Sequence, residues 1–374
     1  MNDRLKKYRC DLHQIPELQF DLFKTSDYIK QELLKMKYEI YPTAKTGWIA
    51  YKKGKKETSI AFRSDMDGLP VTEKSDHPNP SKHIGNMHAC GHDGHMAMLL
   101  GFAYAIKDIS LLNESIVLIF QPAEEFPGGA KIIIEEGMLD KFKVKKIFGI
   151  HLYPNLEESK YGIVKGPMMA RNGEFNLTLS GKSAHGAQPH LAHDAIVASS
   201  FLISQFHSIV SRNIDPFDQS VLTVGTIHGG EARNIIAQDV KISGTIRAFK
   251  DEVYMDIKKR MNEIIEGIKI GFNVDINYEM IDFYPVVYND ETIVDHILNY
   301  LEKENYEFIK PMMFAEDFAF YQQKVPGMFT MLGTRNEEKG YTHPLHSCYF
   351  NFDEKVLIKG VELYLEIAKS YNLI

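Results

Sequence analysis

The stretch SIVLIFQPAEE, residues 115–125, decides the fold. Its first seven residues form an apolar run without alternation. That is the pattern of a strand covered on both faces, as in parallel sheets flanked by helices. Pro122 ends the run, and the adjacent acids Glu124 and Glu125 follow. The same style recurs around it. Thr58–Phe62 (TSIAF) is a β-type run leading into Arg63-Ser64-Asp65-Met66-Asp67-Gly68, and Lys146–Leu152 (KIFGIHL) is a buried strand that Pro154 should stop. Helical stretches lie between: Leu5–Lys37, broken near Pro16; Gly94–Ile106, apolar throughout; and Gly128–Met138. Lys74–Asn86, with Pro78 and Pro80, reads as a surface loop. Strands alternating with helices predict an α/β sandwich with a largely parallel sheet.

Further along, the style changes. Glu174–Leu179, Val221–Ile227, Val240–Phe249 and Phe272–Tyr278 alternate with period two, and amphipathic helices fit Ala192–Ser211 and Val253–Ile270. The order βαββαβ predicts a small α+β, ferredoxin-like sheet with two helices on one face. After Pro285 the first style returns, with a helix near Glu291–Asn305, a strand near Met328–Leu332 and a C-terminal helix from Asp353. The expected organisation is a discontinuous first domain, residues 1–170 and 284–374, interrupted by an inserted domain, residues 171–283.

Composition narrows the function classes. The chain has 374 residues, 43 Lys+Arg against 50 Asp+Glu, and a formal charge of −7. A dedicated nucleic-acid binder would usually be basic. Three cysteines cannot build a disulfide framework in a chain this long, which fits a reducing, cytoplasmic setting. No apolar core follows the charged start Met1–Lys7, so no secretory signal is expected. The longest apolar run, Met96–Ile106, is far short of the roughly 20 residues a bilayer span needs.

Acids, imidazoles and a thiol gather where strands are expected to end: Asp65 and Asp67, Glu124 and Glu125, His151 and His346. The cluster His88-Ala89-Cys90-Gly91-His92-Asp93-Gly94-His95 opens the Met96–Ile106 helix. Ligands of open α/β sheets bind at the carboxyl ends of strands, so these groups could converge. Cys90, His92, Glu125, His151 and His346 form a donor set suited to zinc or a similar ion. Five donors exceed what one tetrahedral ion needs, which favours two metals about 3.5–4 Å apart. With Glu125 as ligand, Glu124 is left to take a proton from water held there. Taken singly, each residue has a plainer reading. Asp65 and Asp67 suit a turn, His151 a hydrogen-bonded core, and Cys90, Cys10 and Cys348 small buried apolar positions. His13 reads as structural. His88 and His92 stand at i, i+4, but Gly91 and Gly94 argue against a helix there.

Eight motifs resemble the M20 metallopeptidase family: FRSDMDGLP (62–70), NMHACGHDGHMAMLLG (86–101), FQPAEEFPGGA (120–130), GIHL (149–152), GKSAHGAQPH (181–190), NIIAQDVKISGTIR (234–247), FAEDFAFY (314–321) and LHS (345–347). The likeness is to its amidohydrolase branch, which includes aminoacylases, hippurate hydrolases and indole-acetyl-amino-acid hydrolases. It covers nearly the whole chain. The resemblance implies a zinc-peptidase-like catalytic α/β/α domain with an inserted lid or dimerisation domain. It also implies metal ligands at Cys90, His92, Glu125, His151 and His346, and a general base at Glu124. The family's catalytic Asp near the first strand end falls on Asp65 or Asp67. In the lid, His185 or His190 would donate to the developing oxyanion, from the same or a neighbouring subunit. Asn234 and Arg247 would hold a substrate carboxylate. Phe126 stands where the branch often has glycine and could narrow the pocket.

The expected cofactors are two divalent ions, zinc or cobalt, manganese or nickel. The expected partner is a small N-acyl amino acid, with no nucleic acid and no membrane, and the expected assembly is a homodimer or larger homo-oligomer. The Pro-Gly-Gly-Ala after the acid pair and Ser211–Pro216 resemble the subfamily that converts N-acetyl-L,L-diaminopimelate to L,L-diaminopimelate and acetate in lysine biosynthesis. Three alternatives stay open: another N-acyl amino acid or a dipeptide as substrate, thiol catalysis through Cys90, and a non-enzymatic metal- or peptide-binding relative.

Overall fold

The computed structural model describes residues 1–374 in full. The chain divides into two compact units. One is Met1–Gly166 with Tyr288–Lys310 and Glu316–Ile374; the other is Pro167–Val287 with Pro311–Ala315. The short return Pro311–Ala315 was not foreseen. Its backbone is tied to the second unit by Met312 N–H to Met168 O (2.9 Å) and Ala170 N–H to Phe314 O (2.9 Å).

The first unit holds an eight-stranded mixed sheet. Its spatial order is Glu39–Thr43, Gly47–Lys52, Ser115–Gln121, Ser59–Asp65, Val144–Glu157, Gly327–Arg335, Tyr161–Ile163, Tyr306–Phe308. The middle four strands are mutually parallel, and every residue of Ser59–Asp65 and Ser115–Gln121 is buried, as an unalternating run requires. The antiparallel flank Glu39–Thr43 and Gly47–Lys52 was absent from the sequence reading. It is short, contains Pro42, and turns through Ala44 and Lys45 at positive φ, so no long pattern announces it.

The helix expected from Gly94 begins at His92 and runs to Ile106. The helix thus starts two residues earlier than expected, and Gly94 is interior to it rather than its first residue. Packing explains it: a Cβ there would stand 2.7 Å from Leu152 Cδ1 and 2.8 Å from Phe352 Cζ. Gly91 caps the helix in the left-handed region, φ +84°, where glycine carries no Cβ penalty. His88 stays outside the helix. The strand carrying His151 continues through Pro154 to Glu157. Cys10 and Cys348 are half-buried rather than core residues.

The second unit is a four-stranded antiparallel sheet in the order Asp275–Asp282, Arg171–Ser180, Asp239–Ala248, Ser220–Gly229. Numbered along the chain this is 4-1-3-2, the ferredoxin-like arrangement. Helices Ala195–Arg212 and Asp251–Phe272 bury Leu202, Phe206, Ile257, Met261 and Ile265 in its core. No helix in the chain is long and apolar enough to cross a membrane.

His13 ties helix Asn2–His13 to the start of helix His92–Ile106. Its Nδ1 lies 2.8 Å from Asp93 Oδ2 and its Nε2 3.0 Å from Glu73 Oε1. Buried Arg9 joins through Nε, 3.3 Å from Asp93 Oδ2. Two carboxylates require two ring donors, so the imidazolium is the form this setting holds. Burial opposes that charge, but Asp93 and Glu73 outweigh it and raise the pKa above 6.5. A raised native pKa contributes stability that is complete below about pH 6.5 and lost as pH climbs through the native value. In thermal melts of the metal-loaded protein, the gap between wild type and His13→Gln should be widest below about pH 6.5 and shrink on the alkaline side. A gap constant across pH would contradict this assignment.

Candidate metal centre

Five segments of the first unit meet at the carboxyl end of its parallel strands. Asp65 is the last residue of Ser59–Asp65, and Gln121 the last of Ser115–Gln121. The pairing of Arg63 with Gly149 brings His151 level with Asp65, although His151 lies inside its strand rather than at its end. The loop before helix His92–Ile106 carries Cys90. His346 sits in the loop after Gly327–Arg335, not at a strand end, and its N–H donates to Ala89 O (2.8 Å).

The donor atoms converge. Cys90, His92 and His151 offer atoms within 4.8 Å of one another; so do Cys90, Glu125 and His346, and so do His92, Glu124 and Glu125. Cys90 Sγ is 3.5 Å from His151 Nε2, and His346 Nε2 is 3.1 Å from Glu125 Oε1. Buried His92 makes no well-aligned hydrogen bond through either ring nitrogen, and Glu125 Oε1 makes none beyond its ion-pair contact with His346. Buried polar atoms are rarely left so. His151 Nδ1 donates to Leu152 O (2.7 Å), which leaves the Nε2 lone pair facing Cys90. His95 differs. Its Nδ1 faces Asp65 Oδ1 at 2.7 Å, and its Nε2 accepts from Leu152 N–H at 2.9 Å. With both nitrogens engaged, His95 supports the site and is no ligand.

The two aspartates have separate tasks. Asp67 accepts from Glu124 N–H (3.0 Å) and Glu125 N–H (3.1 Å), and its Oδ1 lies 3.4 Å from His92 Nδ1. It therefore sets both the acid-pair backbone and the His92 ring. Asp65 holds His95 and takes Arg63 Nη1 at 2.8 Å; its Oδ1 is 3.8 Å from His92 Nδ1.

Electrostatics show what the site lacks. Burial, then Glu125 and Glu124, push the Cys90 thiol well above its usual range. Burial, then Glu316 and Glu125, push Glu124 well up. Burial would lower His92, but Asp65 and Asp67 raise it to about 10. A cluster of carboxylates is thus short of positive charge. The thiol, imidazole and carboxylate donors suit zinc-type divalent ions, and buried His92 Nε2, which has no hydrogen-bond partner, marks where one would be held.

Sequence reasoning assigned no role to Arg63, Gln121, Glu316 or Asp317. Arg63 is wholly buried. Its Nε donates to Gln121 Oε1 (2.9 Å), and its Nη2 reaches Asp317 Oδ1 (2.8 Å) and Glu316 Oε1 (3.0 Å). The acidic pair inside FAEDFAFY was the available signal.

The proposed lid residues lie in the second unit and fall into two places. His185 bridges to Ile235, and Gly186 N–H donates to Asn234 O (2.8 Å), so His185 and Asn234 are neighbours. His190 is exposed on the turn Pro189–Leu191. Arg247 stands near the far end of strand Asp239–Ala248, where Nη1 donates to Met313 O (2.8 Å) and burial lowers its pKa.

Comparison with known proteins agrees with this architecture. Residues 61–370 match the profile of peptidase family M20/M25/M40. The chain is 39% identical over 366 residues to N-acetyl-L-cysteine deacetylase of Bacillus subtilis (strain 168), covering 96% of this chain and 86% of that one. It is 38% identical over 375 residues to IAA-amino acid hydrolase ILR1-like 4 of Arabidopsis thaliana, covering 98% and 85%. Among solved structures, an aminohydrolase from methicillin-resistant Staphylococcus aureus superposes with TM-score 0.93 at 32% identity, covering 100% and 97%. The YXEP protein of Bacillus subtilis, described as a dinuclear metal-binding M20 peptidase, gives 0.86 at 31%, covering 98% and 97%.

Metal binding must displace protons from groups held protonated, here the Cys90 thiol and the His92 ring. Calorimetric Zn²⁺ titrations near neutral pH, in buffers of differing protonation enthalpy, should show net proton release. Cys90→Ala should lower that release by about one proton. Equal release by both proteins would remove Cys90 from the centre.

Proposed function

The chain belongs to peptidase family M20/M25/M40, and from that premise we propose that it is a metal-dependent amidohydrolase cleaving N-acyl amino acids. The observation that carries this reading is the acid pair. Glu124 and Glu125 are adjacent, and their backbone amides share the Asp67 carboxylate. Glu125 faces the ligand cluster with Cys90 and His346, and Glu124 is buried beside it.

Cys90, His92, Glu125, His151 and His346 would hold two divalent ions, which polarise the amide carbonyl and acidify water. Glu124 takes the proton of the attacking water. The water oxygen adds to the carbonyl carbon, the C–N bond breaks, and Glu124 delivers the proton to the departing amine. The products are a carboxylic acid and a free amino acid. The second unit supplies substrate contacts through His185 or His190, Asn234 and Arg247, and acts as lid and dimerisation domain of a cytoplasmic homo-oligomer.

Within this class, the substrate first proposed is N-acetyl-L,L-diaminopimelate, deacetylated in lysine biosynthesis. The sequence features behind it are Pro127–Ala130 and Ser211–Pro216. The named relatives act on other members of the class, which makes N-acetyl-L-cysteine and indole-acetyl amino acids the direct competitors.

Glu124→Gln should retain its metals and lose about 10²–10⁴-fold in kcat. A loss of only a few-fold, at full metal content, would remove Glu124 as the base. kcat/KM across N-acetyl-L,L-diaminopimelate, N-acetyl-L-cysteine, hippurate and a dipeptide should be highest for the first; a higher value for any other reassigns the substrate. Full activity after chelation would favour the Cys90 thiol instead.

A further inference from the structure

The acid pair rides on a loop, residues 122–129, whose two ends nearly touch. A Cβ on Gly129 would stand 1.9 Å from Pro122 O. Gly128 N–H and Gly129 N–H both donate to Ala123 O at 3.0 Å, and Ala123 takes a positive φ of 57°. The residues just outside it, Gln121 and Ala130, are both held by Asp317. Gln121 Nε2 donates to Asp317 Oδ1 (2.9 Å) and Oδ2 (2.7 Å), and Ala130 N–H donates to Oδ2 (2.9 Å). Arg63 Nη2 supplies the compensating charge at Oδ1 (2.8 Å).

We propose that Asp317 is a positioning residue that clasps both ends of the acid-pair loop and so fixes Glu124 and Glu125 relative to Cys90, His92 and His346. Burial and the neighbouring Glu316 push the Asp317 carboxyl up, while Arg63, Gln121 and the Ala130 amide oppose that shift by donating to its two oxygens. The loop is then fixed at three points. Asp317 holds its two flanks, and Asp67 holds its middle through Glu124 N–H and Glu125 N–H. No neutral side chain of similar size accepts from so many donors at once. Asparagine offers one oxygen and turns an amide donor toward Arg63, Gln121 or the Ala130 amide.

This inference rests on the metal-centre reading, and its test keeps the two apart. In metal-free protein, Asp317→Asn should speed hydrogen exchange at the Gly128, Gly129 and Ala130 amides at least about tenfold while leaving the strands Ser59–Asp65 and Ser115–Gln121 protected. In Zn²⁺ titrations, the same variant should weaken the affinity of the centre by about 10–100-fold, the usual effect of losing a group that orients a ligand. Leu33→Ala, in the buried face of helix Phe23–Lys35, which contributes no residue to the loop or the donor cluster, serves as a variant destabilised through packing alone. It should bind Zn²⁺ as wild type does. Unchanged exchange at the three amides in Asp317→Asn overturns the clasp, whatever the metal does. Equal loss of affinity in Leu33→Ala reduces Asp317 to a general stability residue and overturns it too. If wild type takes up no Zn²⁺, the metal-centre reading fails, and the exchange measurement still decides the clasp.

Discussion

Charge balance governs the first unit. Asp65, Asp67, Glu124, Glu316 and Asp317 are buried together at the end of one sheet, with Glu125 partly buried beside them. Arg63 is the permanent cation bonded among them, through Asp65, Glu316 and Asp317. Buried charges persist only when paired and hydrogen-bonded. Arg63 and Gln121 satisfy the inner half of the cluster. The outer half, Asp67 with the acid pair, receives backbone donors and the imidazoles of His92 and His346. The raised His92 and Glu124 record a shortfall of positive charge as protons kept where ordinary solution chemistry would release them. Divalent ions would relieve the same shortfall, so the fold stores the electrostatic demand for them in its own framework.

The two halves are joined by short routes. Asp65 links Arg63 to His95, and His95 accepts from the amide next to His151. Asp67 links the acid-pair backbone to His92. His92, Glu125 and the strand at His151 are thus braced by groups that are themselves held, and such outer groups strongly affect affinity and activity at metal sites. The histidines illustrate the division. His92 and His151 keep nitrogens open toward the cluster, His95 has both engaged, and His13 bridges two carboxylates away from it.

Much of this was legible in the sequence where chemistry and pattern coincide. The unalternating strands, the βαββαβ insertion and the ligand-type residues beside glycines each leave a local signature. Arg63 and Asp317 left none, because their meaning lies in a contact spanning 254 positions. An arginine inside a buried strand reads as an anomaly until its carboxylates are seen. The Asp65 or Asp67 ambiguity had the same origin. Both precede a turn, and only the tertiary partners separate a support for His95 from a brace for the acid pair. The helix start was misplaced by two residues because glycine usually signals a boundary, whereas here Gly94 admits Leu152 and Phe352 against the helix interior.

The dispersal of the centre along the chain has a consequence for its biogenesis. Its parts are drawn from residues 63 to 346, and the segments of the second unit, Pro167–Val287 and Pro311–Ala315, lie wholly within that span. A ribosome therefore delivers every residue of the second unit before it delivers His346. Domains tend to fold as units during synthesis, at about 5–20 residues per second. The inserted unit can close its own core while the enclosing one still waits for its last donor. The full candidate donor set is assembled only late in translation, so early intermediates of the enclosing unit carry the acidic cluster before His346 can join it.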